Sequence, residues 1–290
     1  SCNMRHGFLL IDKPVGPTSH DMVARVRGAL SESSVGHLGT LDPQASGLLV
    51  LAVGSRALKT IHLFTDLTKE YEAEIRLGAV STTYDREGLI TEVPTKPGLS
   101  IPEDSSRIQA MINDRFVGRI KQSPPAYSAI NVHGERAYDL ARRGADITLP
   151  SRDVCISECT VQSYQFPLLS LHVKCGSGTY IRSLANDIGI VLHFGAYLAA
   201  LRRTRVGEWS VQNAASADRV TWKDVVPLKE VLTLFPRADL SESQWEDVKN
   251  GRFIDHALTQ EPLIAWYNGL PTAILEASKH AGKVKPRKVL

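Results

Sequence analysis

Apolar and polar positions along the chain switch between a period of two and a period near 3.6, and each switch marks an element. Gly7 to Ile11 reads as a buried strand, and Ser19 as the N-cap of a helix with Val23, Val26 and Leu30 on one face. Leu48 to Val53 is an uninterrupted apolar run, which predicts a strand covered on both sides, followed by a helix near Ala57 to Phe64. From Tyr71 to Leu77, Tyr71, Ala73, Ile75 and Leu77 alternate with Glu72, Glu74 and Arg76, the pattern of a half-buried strand. Ile108, Met111, Ile112 and Phe116 mark a helix, and Leu169, Leu171, Val173 and Cys175 one face of a strand. That strand ends in Gly176-Ser177-Gly178-Thr179, from which a helix starts with Ile181, Leu184, Ala185, Ile188 and Leu192 facing inward; Thr204 to Val211 reads as a further strand. Proline breaks the pattern at Val93 to Pro102 and at Gln122 to Ser128, which predicts extended loops.

A boundary is expected between Pro227 and Pro236, giving domains at residues 1–230 and 231–290. Beyond it, Ser241 with Gln244 forms a capping box, Trp245 and Val248 supply an apolar side, and Gly251 suits a helix end. Strands at Pro262 to Tyr267 and Thr272 to Ala277 are joined through Asn268-Gly269, a strong hairpin signal. Strands and helices interleave without a strict βαβ rhythm, so the expected class is α+β rather than a doubly wound sheet.

Composition narrows the function classes. The chain has 290 residues, 43% of them hydrophobic and 22% charged, as expected of an ordinary globular protein. Its longest apolar run is far short of the roughly 20 residues that span a bilayer, and Gly7 to Ile11 is too short for a secretory leader. The four cysteines, at positions 2, 155, 159 and 175, form no CxxC pair and suit a reducing, cytoplasmic setting better than a metal site. Net charge is only +3, but Lys279, Lys283, Lys285, Arg287 and Lys288 crowd the end of the chain and Arg202-Arg203-Thr204-Arg205 makes a second basic knot. Such clusters are either a phosphate footprint or a solvated face.

Nucleotide and metal chemistry find little support. No GxxxxGK[ST] occurs, Gly176-Ser177-Gly178-Thr179 lacks the rest of a dinucleotide fingerprint, and the nine histidines include no HExxH. What remains is a cofactor-free site around Asp42, which sits in the glycine-punctuated run Gly36-His37-Leu38-Gly39-Thr40-Leu41-Asp42-Pro43. Glycines permit backbone turns that other residues resist and Pro43 fixes its own φ, so an acid there is held rather than free. Asp42 is a candidate nucleophile or base, Arg182 its ion partner and Tyr71 an aromatic wall. Each also has a plain structural reading: a turn-forming aspartate, a snorkelling arginine, a core tyrosine.

Taken together the motifs resemble the TruB family of tRNA pseudouridine synthases. The resemblance rests on Gly36 to Gly47, on Lys13-Pro14-Val15-Gly16-Pro17-Thr18-Ser19, and on Lys69-Glu70-Tyr71. It continues through Thr83 to Gly88, Pro124 to Ala129, Gly178-Thr179-Tyr180-Ile181-Arg182 with Asp187-Ile188-Gly189, and Leu201 to Gly207, and resumes at Lys285 to Leu290. The resemblance implies a mixed, largely antiparallel sheet with flanking helices, a small C-terminal PUA-like β-barrel, and conversion of a T-loop uridine of tRNA (position 55) into pseudouridine without a cofactor or metal. It further implies Asp42 as the catalytic aspartate, Tyr71 stacking on the target base and taking the C5 proton, and Arg182 paired with Asp42. His37 would seat the everted nucleotide, Tyr180 and Leu201 line the base pocket, and Lys13 and Pro14 shape the site. The partner expected is the tRNA T-arm, bound by a monomer with no obligate protein partner and no membrane. Asn131, where the family usually has lysine, and Tyr197, where it usually has histidine, depart from the pattern.

The chemistry agrees. Isomerisation needs no redox or energy donor, and a stacked base must be flipped out at a cost of a few kcal/mol, of which stacking on Tyr71 could recover roughly 1 to 3 kcal/mol. An arginine beside Asp42 would keep it ionised and aimed. A glycal route, with proton removal from C2′, is favoured over attack at C1′ or C6. Two other classes compete: a non-catalytic tRNA-binding or folding module, and a guide-RNA-dependent synthase subunit. A glycosidase is more distant, since no second acid is placed to protonate a leaving group. The segment from Gln122 to Gly144 is expected to order when RNA binds.

Overall fold

A computed structural model describes residues 5–126, 149–258 and 260–290, with backbone alone at 131, 132, 135 and 136. The expected ordering of residues 122–144, the side chain of Asn131 and the stretch from Tyr127 to Ala129 lie wholly or largely outside the described residues.

A ten-stranded mixed sheet carries the N-terminal part. Its strands are β1 (Gly7–Lys13), β2 (Val35–Leu38), β3 (Ala45–Val53), β4 (Lys69–Leu77), β5 (Gly118–Gln122), β6 (Arg152–Gln165), β7 (Leu168–Cys175), β8 (Ala196–Val206), β9 (Trp209–Ser210) and β10 (Val226–Pro227). The order is β10-β1-β3-β8-β4-β7-β6-β5, with β2 added to β3 and β9 to β8. All named pairings are antiparallel except β3 with β8, where Leu201, Arg202 and Arg203 run alongside Ala45, Ser46 and Gly47. The α+β class and the largely antiparallel sheet are therefore as expected.

Burial follows the sequence pattern. Tyr71, Ala73, Ile75 and Leu77 on β4 are buried, together with Leu169, Leu171, Val173 and Cys175 on β7. Over them lie α2 (Ser105–Arg115), through Ile108 and Ile112, and α3 (Ile181–Leu192), through Ile181, Leu184, Ala185 and Ile188. On the other half of the sheet α1 (Ser19–Leu30) buries Met22, Val23, Val26 and Leu30 against β1 and β3. Each such side chain contributes roughly 1.5 to 3 kcal/mol, so the sheet that supports the candidate site is rigid.

Several details differ from expectation. Thr18, not Ser19, caps α1: its hydroxyl accepts from the Asp21 amide while the Asp21 carboxylate accepts from the Thr18 amide. Hydrogen bonding to Thr18, first from its amide, holds the Asp21 carboxyl below the usual range, and Ser19 is freed for another task. The helix expected at Ala57 to Phe64 is split into a single turn, Ser55–Leu58, and a 3₁₀ turn, Ile61–Phe64. The strand expected at Thr204 to Val211 is the end of the longer β8 plus the two residues of β9.

Residues 237–289 build a second, five-stranded sheet from β11 (Arg237–Asp239), β12 (Ile254–Asp255), β13 (Leu263–Tyr267), β14 (Leu270–Ala277) and β15 (Lys283–Val289), in the order β11-β13-β14-β15-β12. Asn268 and Gly269 both adopt positive φ, 50° and 74°, as the tight hairpin requires. The sheet is consistent with a PUA-like barrel. It is not separated from the rest: Ile264, Trp266 and Ile274 share one buried cluster with Phe8, Leu48 and Val50. The cationic end of the chain is the strand β15, with Lys283 paired to Asp255 at 2.9 Å and Lys285 to Glu276 at 3.3 Å.

Candidate active site

The run before β3 is built as a brace around Asp42. Ser19 Oγ donates to the Leu41 carbonyl and accepts from the Leu41 amide, both at 2.9 Å, so α1 grips the backbone next to Asp42. The Asp42 carbonyl accepts from the Ala45 amide (2.9 Å), and the Pro43 carbonyl from the Gly16 amide (2.7 Å). Ser19→Ala leaves a buried N–H and C=O without partners, an expected loss of about 1–3 kcal/mol. It should show as a lowered melting temperature and as faster hydrogen exchange at the Leu41 amide than at α1 amides.

Lys13 closes the brace from below. Expected to help shape the site, it is wholly buried, its Nζ donating to the carbonyls of Pro14 and Pro17 (2.8 Å each) and of Pro43 (3.3 Å). Burial pushes its ammonium down to about 8, with the Asp42 and Asp21 carboxylates acting in the opposite direction. It remains largely charged at neutral pH, a fixed positive group beneath the acid.

Asp42 meets Arg182 directly: Nε of the arginine lies 3.1 Å from Oδ2 of the acid. Arg182 stands in the first turn of α3, and the start of that helix is fixed by Gln122. The Gln122 Oε1 accepts from the Tyr180 amide (2.8 Å) and its Nε2 donates to the Tyr180 carbonyl (3.0 Å), replacing a side-chain cap. The Arg182 side chain is only 10% exposed and reaches a second acid, with Nη1 3.6 Å from Oδ2 of Asp85, whereas Asp42 is half exposed. Asp85 in turn accepts from the Thr83 hydroxyl and from the Glu87 amide (3.0 Å). A buried guanidinium thus joins a fixed, buried carboxylate to an exposed one. A small cleft opens beside them, lined by Asp42, Gln44, Asp85, Arg86, Arg182 and Leu201.

Tyr71 is not among the residues that line the cleft; it is 7% exposed and within electrostatic reach of Asp42. Burial raises its phenol above the usual range, and the nearby Arg203 guanidinium works against that rise. His37, on β2, is lowered by burial and then by Arg203 and His20, and its Nδ1 is buried without a partner among the described residues. Lys69, two residues before Tyr71 on the chain, is lowered by burial and by Arg203. Cys175, also near Tyr71, is pushed up to about 11 by burial and behaves as an inert thiol.

The structure brings Asp42, Arg182 and Leu201 to one cleft, with buried Tyr71 and Lys13 within electrostatic reach of Asp42, His37 in the field of Arg203, and Tyr180 at the start of the helix that carries Arg182. It corrects the reading of the second basic knot. Arg203 is 1% exposed and turned inward. Arg202 is spent on Asp12, with both nitrogens 2.9 Å from the two carboxylate oxygens, and Arg205 donates to the Glu208 carbonyl. Reasoning from the sequence did not single out Ser19, Gln122, Asp85 or Arg203 for these tasks. Asp85 was within reach as the one acid of the Thr83 to Gly88 motif that follows a residue forced into a turn, Tyr84 at φ 65°.

Comparison with known proteins shows that the chain has the fold of a pseudouridine synthase. Residues 27–181 match the model of the TruB family pseudouridylate synthase (N terminal domain). The chain is 41% identical to tRNA pseudouridine synthase B of Leifsonia xyli subsp. xyli over 94% of its own length and 89% of that protein. It is 42% identical to the protein of the same name from Thermobifida fusca, with 87% of each covered. A solved structure described as a Cbf5-Nop10-Gar1 complex shares the fold, with a TM-score of 0.72 at 24% identity, covering 99% of this chain and 86% of that one. The chain belongs to the TruB family.

Proposed function

We propose that the protein isomerises one uridine of the tRNA T-loop, position 55, to pseudouridine, acting as a cytoplasmic monomer without a protein partner, with residues 231–290 as an RNA-binding domain. The observation that carries this reading is the Asp42–Arg182 pair at 3.1 Å, an exposed carboxylate aimed by a buried cation at the mouth of a cleft. In the glycal route Asp42 takes the C2′ proton as the N1–C1′ bond breaks. The released base turns within the cleft, C5 bonds to C1′, C2′ regains its proton, the C5 proton leaves and N1 ends protonated. All atoms of the uridine are conserved apart from exchange with water, so no co-reactant is consumed. In this reading Tyr71 takes the C5 proton, Leu201 and Tyr180 confine the base, and His37 seats the everted nucleotide.

The test is tritium release from C5-labelled uridine in a naked T-arm transcript. Stoichiometric release supports the reading and removes the need for an accessory protein or guide. No release, with tight binding retained, favours a tRNA-binding module instead. Since binding draws mainly on phosphate contacts, affinity for the T-arm should fall by roughly 10²-fold or more between about 50 and 200 mM salt, the loss expected for on the order of four such contacts. Filter binding across that range checks it.

A further inference from the structure

Among the described residues Arg203 is the largest side chain to be fully buried. A buried guanidinium is costly unless its donors are matched. Among the described residues its hydrogen-bond acceptors are backbone carbonyls rather than a carboxylate. Nε donates to the Leu48 carbonyl at 2.8 Å, Nη2 to that of Gly39 at 3.0 Å and Nη1 to that of Thr40 at 3.4 Å. These oxygens lie on both sides of Asp42 in the chain, so one group grips the loop that presents the acid at its two ends. The same residue stands directly opposite Tyr71 across the pairing of β8 with β4, and its guanidinium acts on the Tyr71 phenol.

The backbone is built to allow this. Arg203 also neighbours Gly47 across the parallel pairing of β8 with β3. A Cβ on Gly47 would fall 2.2 Å from the Arg203 carbonyl oxygen, and the residue has φ +107°, so only glycine lets β8 come this close.

We infer that Arg203 is a positioning residue for the isomerisation, a single cation that fastens the Asp42 loop and the Tyr71 hydroxyl to one another and so sets the separation between the acid and the proton acceptor. The inference rests on the function proposed above and deepens it. Charge adds to geometry. A phenol that must accept a proton needs a donor at its oxygen once the negative charge develops, and burial alone disfavours that charge. The groups facing Tyr71 are Arg203 from β8, Cys175 from β7 and Asp42 from the loop. Of these only Arg203 favours the phenolate. Lys69 and His37 also lie in the field of Arg203 and are themselves lowered by it.

The experiment compares Arg203→Lys and Arg203→Gln in wild-type and Tyr71→Phe backgrounds, by single-turnover tritium release, KM for the T-arm, and ultraviolet titration of the phenol taken as the difference from each Tyr71→Phe counterpart. A displacement on the order of 1 Å costs about 10²-fold in rate. The single-turnover rate of both variants should fall by about that factor while KM stays within about threefold. In Arg203→Gln the Tyr71 titration should move to higher pH, and in the Tyr71→Phe background the rate loss from Arg203→Gln should shrink, since the two groups act together. An unchanged phenol titration with additive rate losses would mean that Arg203 only supports the fold, and overturns the inference. So does an Arg203→Lys rate near that of wild type. Should neither variant fold, Tyr71→Phe alone carries the test: a full rate without the hydroxyl overturns the inference, and a large rate loss at constant KM supports it. A wild-type protein that releases no tritium instead sinks the proposed function, and this inference with it.

Discussion

Asp42→Asn is expected to yield a folded protein that binds the T-arm within a few-fold of wild type and isomerises uridine slower by roughly 10⁴-fold or more, a loss of about 5.5 kcal/mol of transition-state stabilisation. The substitution keeps shape and removes charge. Asp42 is half exposed and its loop is held by backbone bonds to Ser19, Ala45, Gly16 and Lys13 that do not involve its carboxylate. Stability should therefore change by less than about 1 kcal/mol, the range of an exposed ion pair. Arg182 keeps Asp85 as a partner, so the cleft does not collapse. The chemistry has no substitute, because an amide neither takes a proton from C2′ nor attacks carbon. Tritium release and filter binding on the same preparation separate the two effects. An asparagine variant retaining more than about one-hundredth of the wild-type rate would remove Asp42 from the reaction, since general-base and nucleophile losses run well above that.

The readable parts of the chain and the hidden ones differ for a physical reason. Tyr71 to Leu77 was legible because β4 pairs through its whole length with β7 in unbroken register, so the two-residue alternation survives. β6 and β8 were not. β6 shifts register against β7 between Ile156 and Glu158 and again between Val161 and Ser163. β8 does so against β4 between Leu198 and Ala200 and between Arg203 and Arg205. Each bulge resets which side chains face inward, and an eleven-residue strand containing three arginines then looks like a surface run. Arg203 is the clearest case: its burial depends on carbonyls at residues 39, 40 and 48, far away in sequence, and backbone acceptors leave no compositional trace. The meeting of Asp42 with Arg182, by contrast, was anticipated from the resemblance of their motifs to the TruB family. The capping box of Ser241 and the Asn268-Gly269 hairpin were legible because local geometry alone decides them. The burial of Lys13 was hidden for the same reason as that of Arg203, since it depends on the three backbone carbonyls that surround its ammonium.

Arg182→Gln should damage both stability and rate, and a compensating substitution should separate the two. Arg182 and Asp85 are each 10% exposed, so removing the cation strands a buried carboxylate that the Thr83 hydroxyl and Glu87 amide only partly satisfy. Breaking such a pair from one side costs about 3–5 kcal/mol, which for a chain of this size lowers the melting temperature by roughly 10 °C. The rate should fall as well, by about 10³-fold, since Asp42 loses the group that aims it. Adding Asp85→Asn to Arg182→Gln removes the stranded charge, so most of the melting temperature should return while tritium release stays low. That split follows from the guanidinium having two unlike tasks, one toward a buried acid that holds the fold and one toward an exposed acid that meets substrate. If the double variant regained the rate along with the melting temperature, the defect of Arg182→Gln would be one of folding alone, and the guanidinium would have no part in aiming Asp42.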